Sequence, residues 1–116
     1  MSYQVMKSTP LGMMVTDKKG KIITVNPSFT KVTGFDEEEI VGKNPNILQS
    51  GKQSDAFYEE LWKTLLTKGA WQGEIWNKRK DGRLYLEWLT INAIYDDAGE
   101  VIQYAGVFSE VTDKAE

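Results

Sequence analysis

The chain has 116 residues, 41% of them hydrophobic and 27% charged, with a formal net charge of −3. That composition fits one ordinary globular domain with room for a single core. It contains no cysteine and no histidine, which excludes disulfides, thiolate metal sites and cysteine nucleophiles and removes the commonest general base and metal ligand.

Residues 1–11 read as a flanking segment and lack the basic-then-apolar pattern of a secretion signal. No apolar run along the chain is long enough to cross a bilayer. Cytoplasmic placement is therefore expected, without direct membrane contact. The acidic balance gives no electrostatic reason to expect nucleic acid as a partner, and Lys78-Arg79-Lys80 reads as a solvated basic run beside a turn.

The first strand is Gly12 to Thr16, followed by the polar turn Asp17-Lys18-Lys19-Gly20 and a second strand, Lys21 to Val25. Together they read as a hairpin. Asn26-Pro27 opens a helix, with Asn as the cap and Pro in the first turn, and Gly34 closes it. Asp36 to Glu39 looks like an acidic patch, but it has the spacing of a capping box, and its acidic residues suit the positive end of a short helix. Ile40 anchors that helix and Gly42 ends it.

Gly42 to Gly51 (GKNPNILQSG) is a loop by composition. Ser54 caps a helix running to about Lys68, with Phe57, Leu61 and Leu65 on one face and Tyr58, Trp62 and Leu66 widening the stripe. Strand character then takes over: Trp71 to Asn77, Leu84 to Tyr95 and Glu100 to Thr112, separated by turns at Lys80-Asp81-Gly82 and Asp96 to Gly99. The order of elements predicts an α+β fold, a five-stranded antiparallel sheet with helices on one face.

In this order the residues resemble a known family. Gly12 to Asp17, Gly20, Asn26, Phe29, Thr33-Gly34, Glu39-Ile40 and Gly42-Lys43 are similar to the first half of PAS domains. Arg79 to Gly82, Gly106-Val107 and Glu110-Val111-Thr112-Asp113 resemble a turn, the last strand and the exit motif of the same family. The resemblance implies a PAS domain over residues 12–113, with 114–116 beginning a C-terminal signalling linker. It is nearest to PAS domains that precede diguanylate cyclases, cyclic-di-GMP phosphodiesterases or histidine kinases, and to the flavin-binding redox and LOV groups.

That resemblance implies a sensory domain of a bacterial signal-transduction protein and not an enzyme, excised from a parent that carries the effector. Pro45 stands where the LOV group has its photoreactive cysteine, so adduct photochemistry is excluded. Asn77 matches one flavin-contacting asparagine of that group, whereas Glu87 and Phe108 replace two other polar contacts. Strand alternation puts Trp71, Ile75 and Asn77 on one face with Leu89, Ile91 and Glu87. Asn44, Ile47, Leu48 and Phe108 complete the candidate pocket. FAD or FMN, another small ligand, and a filled core without ligand are three open readings; haem is disfavoured because no histidine can ligate it. Neither a base–nucleophile pair nor a phosphate loop accompanies the carboxylates Asp17, Glu87 and Glu110.

The opposite face carries Trp76, Leu86 and Trp88, an apolar surface of the kind that marks an interface. A second copy or a flanking helix could cover it, as in PAS homodimers, or else Tyr3 to Met6 of the same chain. Glu110, Thr112 and Asp113 would form the signal exit, Glu110 standing where the family has Asp and keeps an ion pair with a basic residue. The alternative to ligand sensing is a ligand-free dimerisation module.

Overall fold

The computed structural model describes residues 3–112. Ten elements follow in chain order: α1 (Tyr3–Ser8), β1 (Gly12–Asp17), β2 (Ile22–Val25), α2 (Pro27–Thr33), α3 (Glu37–Ile40), a 3-10 helix (Pro45–Leu48), α4 (Asp55–Lys68), β3 (Ala70–Lys78), β4 (Leu84–Tyr95) and β5 (Val101–Glu110). The strands form one antiparallel sheet in the order β2-β1-β5-β4-β3. The last strand thus sits at the centre, between β1 (Gly12 opposite Phe108) and β4 (Leu89 opposite Phe108).

Local chemistry explains most boundaries. The β1–β2 and β4–β5 turns share one device: Asp17 Oδ1 accepts from the amides of Lys19 and Lys21, and Asp96 Oδ1 from those of Ala98 and Glu100, each at 2.9 Å. Both turns close on a glycine at positive φ, Gly20 (91°) and Gly99 (83°), a conformation other residues rarely adopt. Ser54 and Asn26 cap α4 and α2 through their side chains. In α3, the Glu39 carboxylate reaches back to the Asp36 amide at 2.9 Å.

The Asn26 amide does more than cap. Its Oδ1 accepts from Phe29 N (3.0 Å) and Met13 N (2.8 Å), and its Nδ2 donates to Met6 O and Leu11 O (both 2.8 Å). One buried side chain therefore joins the end of α1, the start of β1 and the start of α2.

The core lies between the sheet and the helices. One group of buried side chains gathers Ile22, Phe29, Ile40, Leu48, Ile75, Leu89 and Phe108; a second joins Leu61 and Leu65 of α4 to Tyr104 of β5. Four expectations change here. The flanking segment contains the helix α1, which packs against α2 and leaves Trp76 and Trp88 exposed, so Tyr3 to Met6 is not their cover. The loop after Gly42 holds a 3-10 turn, nucleated by Asn44 capping Asn46 N at 2.9 Å. The apolar stripe of α4 is narrower than its spacing suggests, since Trp62 is 44% and Leu66 71% exposed. Finally, β5 ends at Glu110, short of Thr112.

Candidate functional site

Beneath the sheet lies a cavity of about 150 Å³. Its floor is strand residues that alternate to one face: Ile75 and Asn77 of β3, Glu87, Leu89 and Ile91 of β4, Phe108 of β5. Leu61 and Leu65 of α4, Phe29 of α2 and Leu48 of the 3-10 helix close the other side. The exposed Asn44 and Asn46 form a polar rim, with Pro45 between them. In the buried α4 face and in Thr16, Met14 and Tyr104 the cavity has lining residues that the sequence reading did not name. Helical periodicity marks Leu61 and Leu65 as buried but cannot say over which strand.

Most pocket residues named from sequence therefore meet at this cavity, and two do not. The Trp71 ring folds back over Gly73, where a Cβ would come within 3.0 Å of it, and stacks edge-on against Phe57 at 5.9 Å. Ile47 packs on the core from the outer turn of the 3-10 helix while Leu48 points in. Strand alternation gives the face of Trp71 but not the direction in which its ring leans, and a 3-10 turn obeys no alternation at all.

Phe108 is placed by a glycine. It faces Gly12 across β5 and β1, and a Cβ on Gly12 would sit 2.3 Å from its ring. The missing side chain leaves room for the tip of the ring, which meets Phe29 edge-on at 6.0 Å.

The polar groups are few and buried. Asn77 lies opposite Tyr85 in the sheet, and with its amide turned so that Nδ2 faces the two carbonyls beside it, it donates to Trp76 O and Leu48 O, both at 3.1 Å. It thereby ties β3 to the 3-10 helix. Glu87 is 2% exposed and lies between Ile75 and Glu110 in register. Burial raises its pKa to about 7, since removing water disfavours the charged form, with an opposing contribution from its neighbour Tyr85. Burial also pushes the Tyr85 phenol upward, and its Oη makes no hydrogen bond of normal geometry.

Beside these groups sits Arg79, partly buried and not the solvated residue that the basic run Lys78-Arg79-Lys80 suggests. Its Nη2 pairs with Glu110 Oε2 at 2.7 Å, its Nη1 donates to Val32 O, and its guanidinium stacks 4.5 Å from the Tyr85 ring. The ion pair expected at Glu110 therefore forms, with Arg79 as its basic member. The neighbouring Lys80 pairs with Glu39. Thr112 is exposed beyond β5, and Asp113 lies outside the described residues.

On the other face of the sheet Trp76 stands opposite Leu86, and Glu74 opposite Trp88. Trp76 is 37% and Trp88 43% exposed, with the Lys52 ammonium 5.1 Å from the Trp76 ring.

Comparison with known proteins agrees with this architecture. The chain is 29% identical over 110 residues to the nitrogen fixation regulatory protein of Klebsiella oxytoca, covering 95% of this chain but 22% of that protein. It thus spans about a fifth of that relative's length. A PAS domain structure from Colwellia psychrerythraea superposes with a TM-score of 0.88 at 23% identity, covering 94% of this chain and 92% of that one. A Light-Oxygen-Voltage domain described with a flavin analogue superposes at 0.81 with 26% identity, covering 95% and 84%. With a five-stranded sheet in the order 2-1-5-4-3 and a family model described as PAS domain matching residues 10–113, the chain belongs to the PAS domain family.

Proposed function

We propose that this domain is a ligand-responsive sensor whose cavity occupancy is relayed along β5 to an effector domain of a larger signalling protein. The supporting observation is the cavity itself, which adjoins the buried Asn77 and Glu87 and lies next to the Arg79–Glu110 pair at the end of β5. A core that only had to be filled would close a space of about 150 Å³, because voids of that size forfeit packing. The ligand that fits its walls is planar and aromatic, held by a few directed polar contacts.

FAD or FMN is the candidate that the flavin-associated structural relative suggests. A cavity of this size is comparable to one that takes a single benzene ring, so a three-ring isoalloxazine would need Leu48 and the α4 face to move outward. Absorption spectroscopy and mass spectrometry of the purified protein decide it. A flavin spectrum that disappears in Asn77→Ala supports the flavin version. A colourless protein without flavin by mass removes it.

The exposed Trp76 and Trp88 favour a second role for the opposite face, as the contact surface of a homodimer. Both roles are compatible, since they use opposite sides of one sheet. In the ligand-free alternative, dimerisation alone carries the signal.

A further inference from the structure

We propose that Glu87 makes the cavity a receptor for a small, weakly basic aromatic ring, bound as a cation against the Glu87 carboxylate. This rests on the reading that the cavity takes a ligand and narrows its chemical class.

Glu87 is buried among its neighbours. Tyr85 lies two residues away on β4, Ile75 and Asn77 face it from β3, and Glu110 stands opposite on β5. Leu61, Leu65, Phe29 and Leu48 line the same cavity from the helices. No lysine or arginine lines the cavity among the described residues. At this end of the sheet Arg79 is engaged by Glu110, by Val32 O and by the Tyr85 ring, Lys80 pairs with Glu39 and Arg83 with Asp81. A carboxyl enclosed in this way lacks a protein counter-ion, and burying an ionised group without one is costly. A neutral acid in an empty cavity is the cheap state, in keeping with a pKa raised to about 7 by burial.

The geometry then selects the ligand. One aromatic ring fills a space of this size. A ring nitrogen with an adjacent amino group presents two parallel N–H donors once protonated, the pattern that a carboxylate accepts in bidentate fashion. The proton balance is internal: it leaves the Glu87 carboxyl and joins the ring nitrogen. A weak base enters uncharged and sheds little hydration, which a permanently charged group could not do. Occupancy would leave a negative charge at Glu87, directly across from Glu110, and so bear on the Arg79–Glu110 pair at the end of β5.

The test uses the full chain, two probes and one near-isosteric variant. Amide NMR spectra are recorded while 2-aminopyridine, or the uncharged ring toluene, is titrated into wild-type protein and Glu87→Gln. The expected result is that 2-aminopyridine shifts amides around Ile75 and Leu89 in the wild type. Its affinity should fall by about tenfold or more in Glu87→Gln, the scale of a lost charge-assisted pair, with toluene binding unchanged. Equal 2-aminopyridine affinity in both proteins overturns the proposal, as does tighter binding of toluene than of 2-aminopyridine to the wild type. If toluene alone binds, the cavity is still a ligand site and only the role of Glu87 falls. If neither probe shifts the lining amides, both readings fall. Should Glu87→Gln fail to fold, the comparison of the two rings on wild-type protein decides the matter.

Discussion

Glu87 lies 2% exposed beneath the sheet with its pKa raised by burial to about 7, above the ordinary glutamate value of 4.5. The folded protein therefore holds this proton more tightly than the unfolded chain. Between about pH 4.5 and pH 7 the unfolded state releases it first, so stability falls as pH rises through that window and then levels. The whole effect is on the order of 3 kcal/mol, taking about 1.4 kcal/mol per pKa unit. Glu87→Gln removes it. Thermal unfolding should show the variant nearly matching the wild type at pH 4 and exceeding it increasingly up to about pH 7, with the difference level above that. Parallel pH profiles for the two proteins would mean that Glu87 is not a buried neutral acid. At the same scale, Asn26 and Arg79 show how one polar side chain serves several elements. Both read as ordinary residues in sequence, a cap and a surface cation, because the groups they bind come from distant parts of the chain.

Among the elements, the segment from Pro45 to Gln53 has the most consequence for the cavity, because it closes one side. Three contacts fasten it to the edge of β3. Gln49 bridges to Asn77, Asn77 Nδ2 donates to Leu48 O, and Gln53 pairs with the Trp76 backbone. Gln53 Oε1 accepts from Trp76 N at 2.8 Å, while its Nε2 donates to Trp76 O at 2.9 Å and to Tyr58 Oη at 3.0 Å. The side-chain amide thus imitates one more rung of a β-ladder and occupies backbone groups that an edge strand would leave open. Gln53→Ala should speed hydrogen exchange of the Trp76 amide by about tenfold or more, by analogy with local opening of a weakly held unit. Amides of the central β5 should keep their protection. Unchanged exchange at Trp76 would show that the bridge at Gln49 holds the segment without help. The cost in global stability should be about 1–2 kcal/mol, the net value of the lost bonds.

For the molecule as a whole, the sheet separates two faces of different character. The inner face carries the cavity, and the outer face presents Trp76, Leu86 and Trp88. If the outer face joins two copies, placing a charge in its middle should separate them. Trp88→Asp is expected to sediment as a monomer where the wild type sediments as a dimer at micromolar concentration, with its fold intact by circular dichroism. A variant that remains dimeric would move the interface elsewhere.

The sequence by itself determined the local features. Asp and Gly at the turns, Asn26 and Ser54 at the helix starts and the two-residue alternation of β3 and β4 are short-range devices, governed by backbone geometry and by atoms a few residues away. They suffice to put Asn77, Glu87, Ile75, Leu89 and Ile91 on one face. Only the tertiary structure decided that β5 enters the centre of the sheet, that Gly12 makes room for Phe108, and that Trp71 turns away over Gly73. It also decided that Arg79 crosses to Glu110 and that the side chains leave a cavity beside Glu87. The physical reason is that these outcomes depend on distances between segments far apart in sequence. Packing is set by shapes meeting across the core, and no local pattern encodes where two distant shapes fail to fill the space between them.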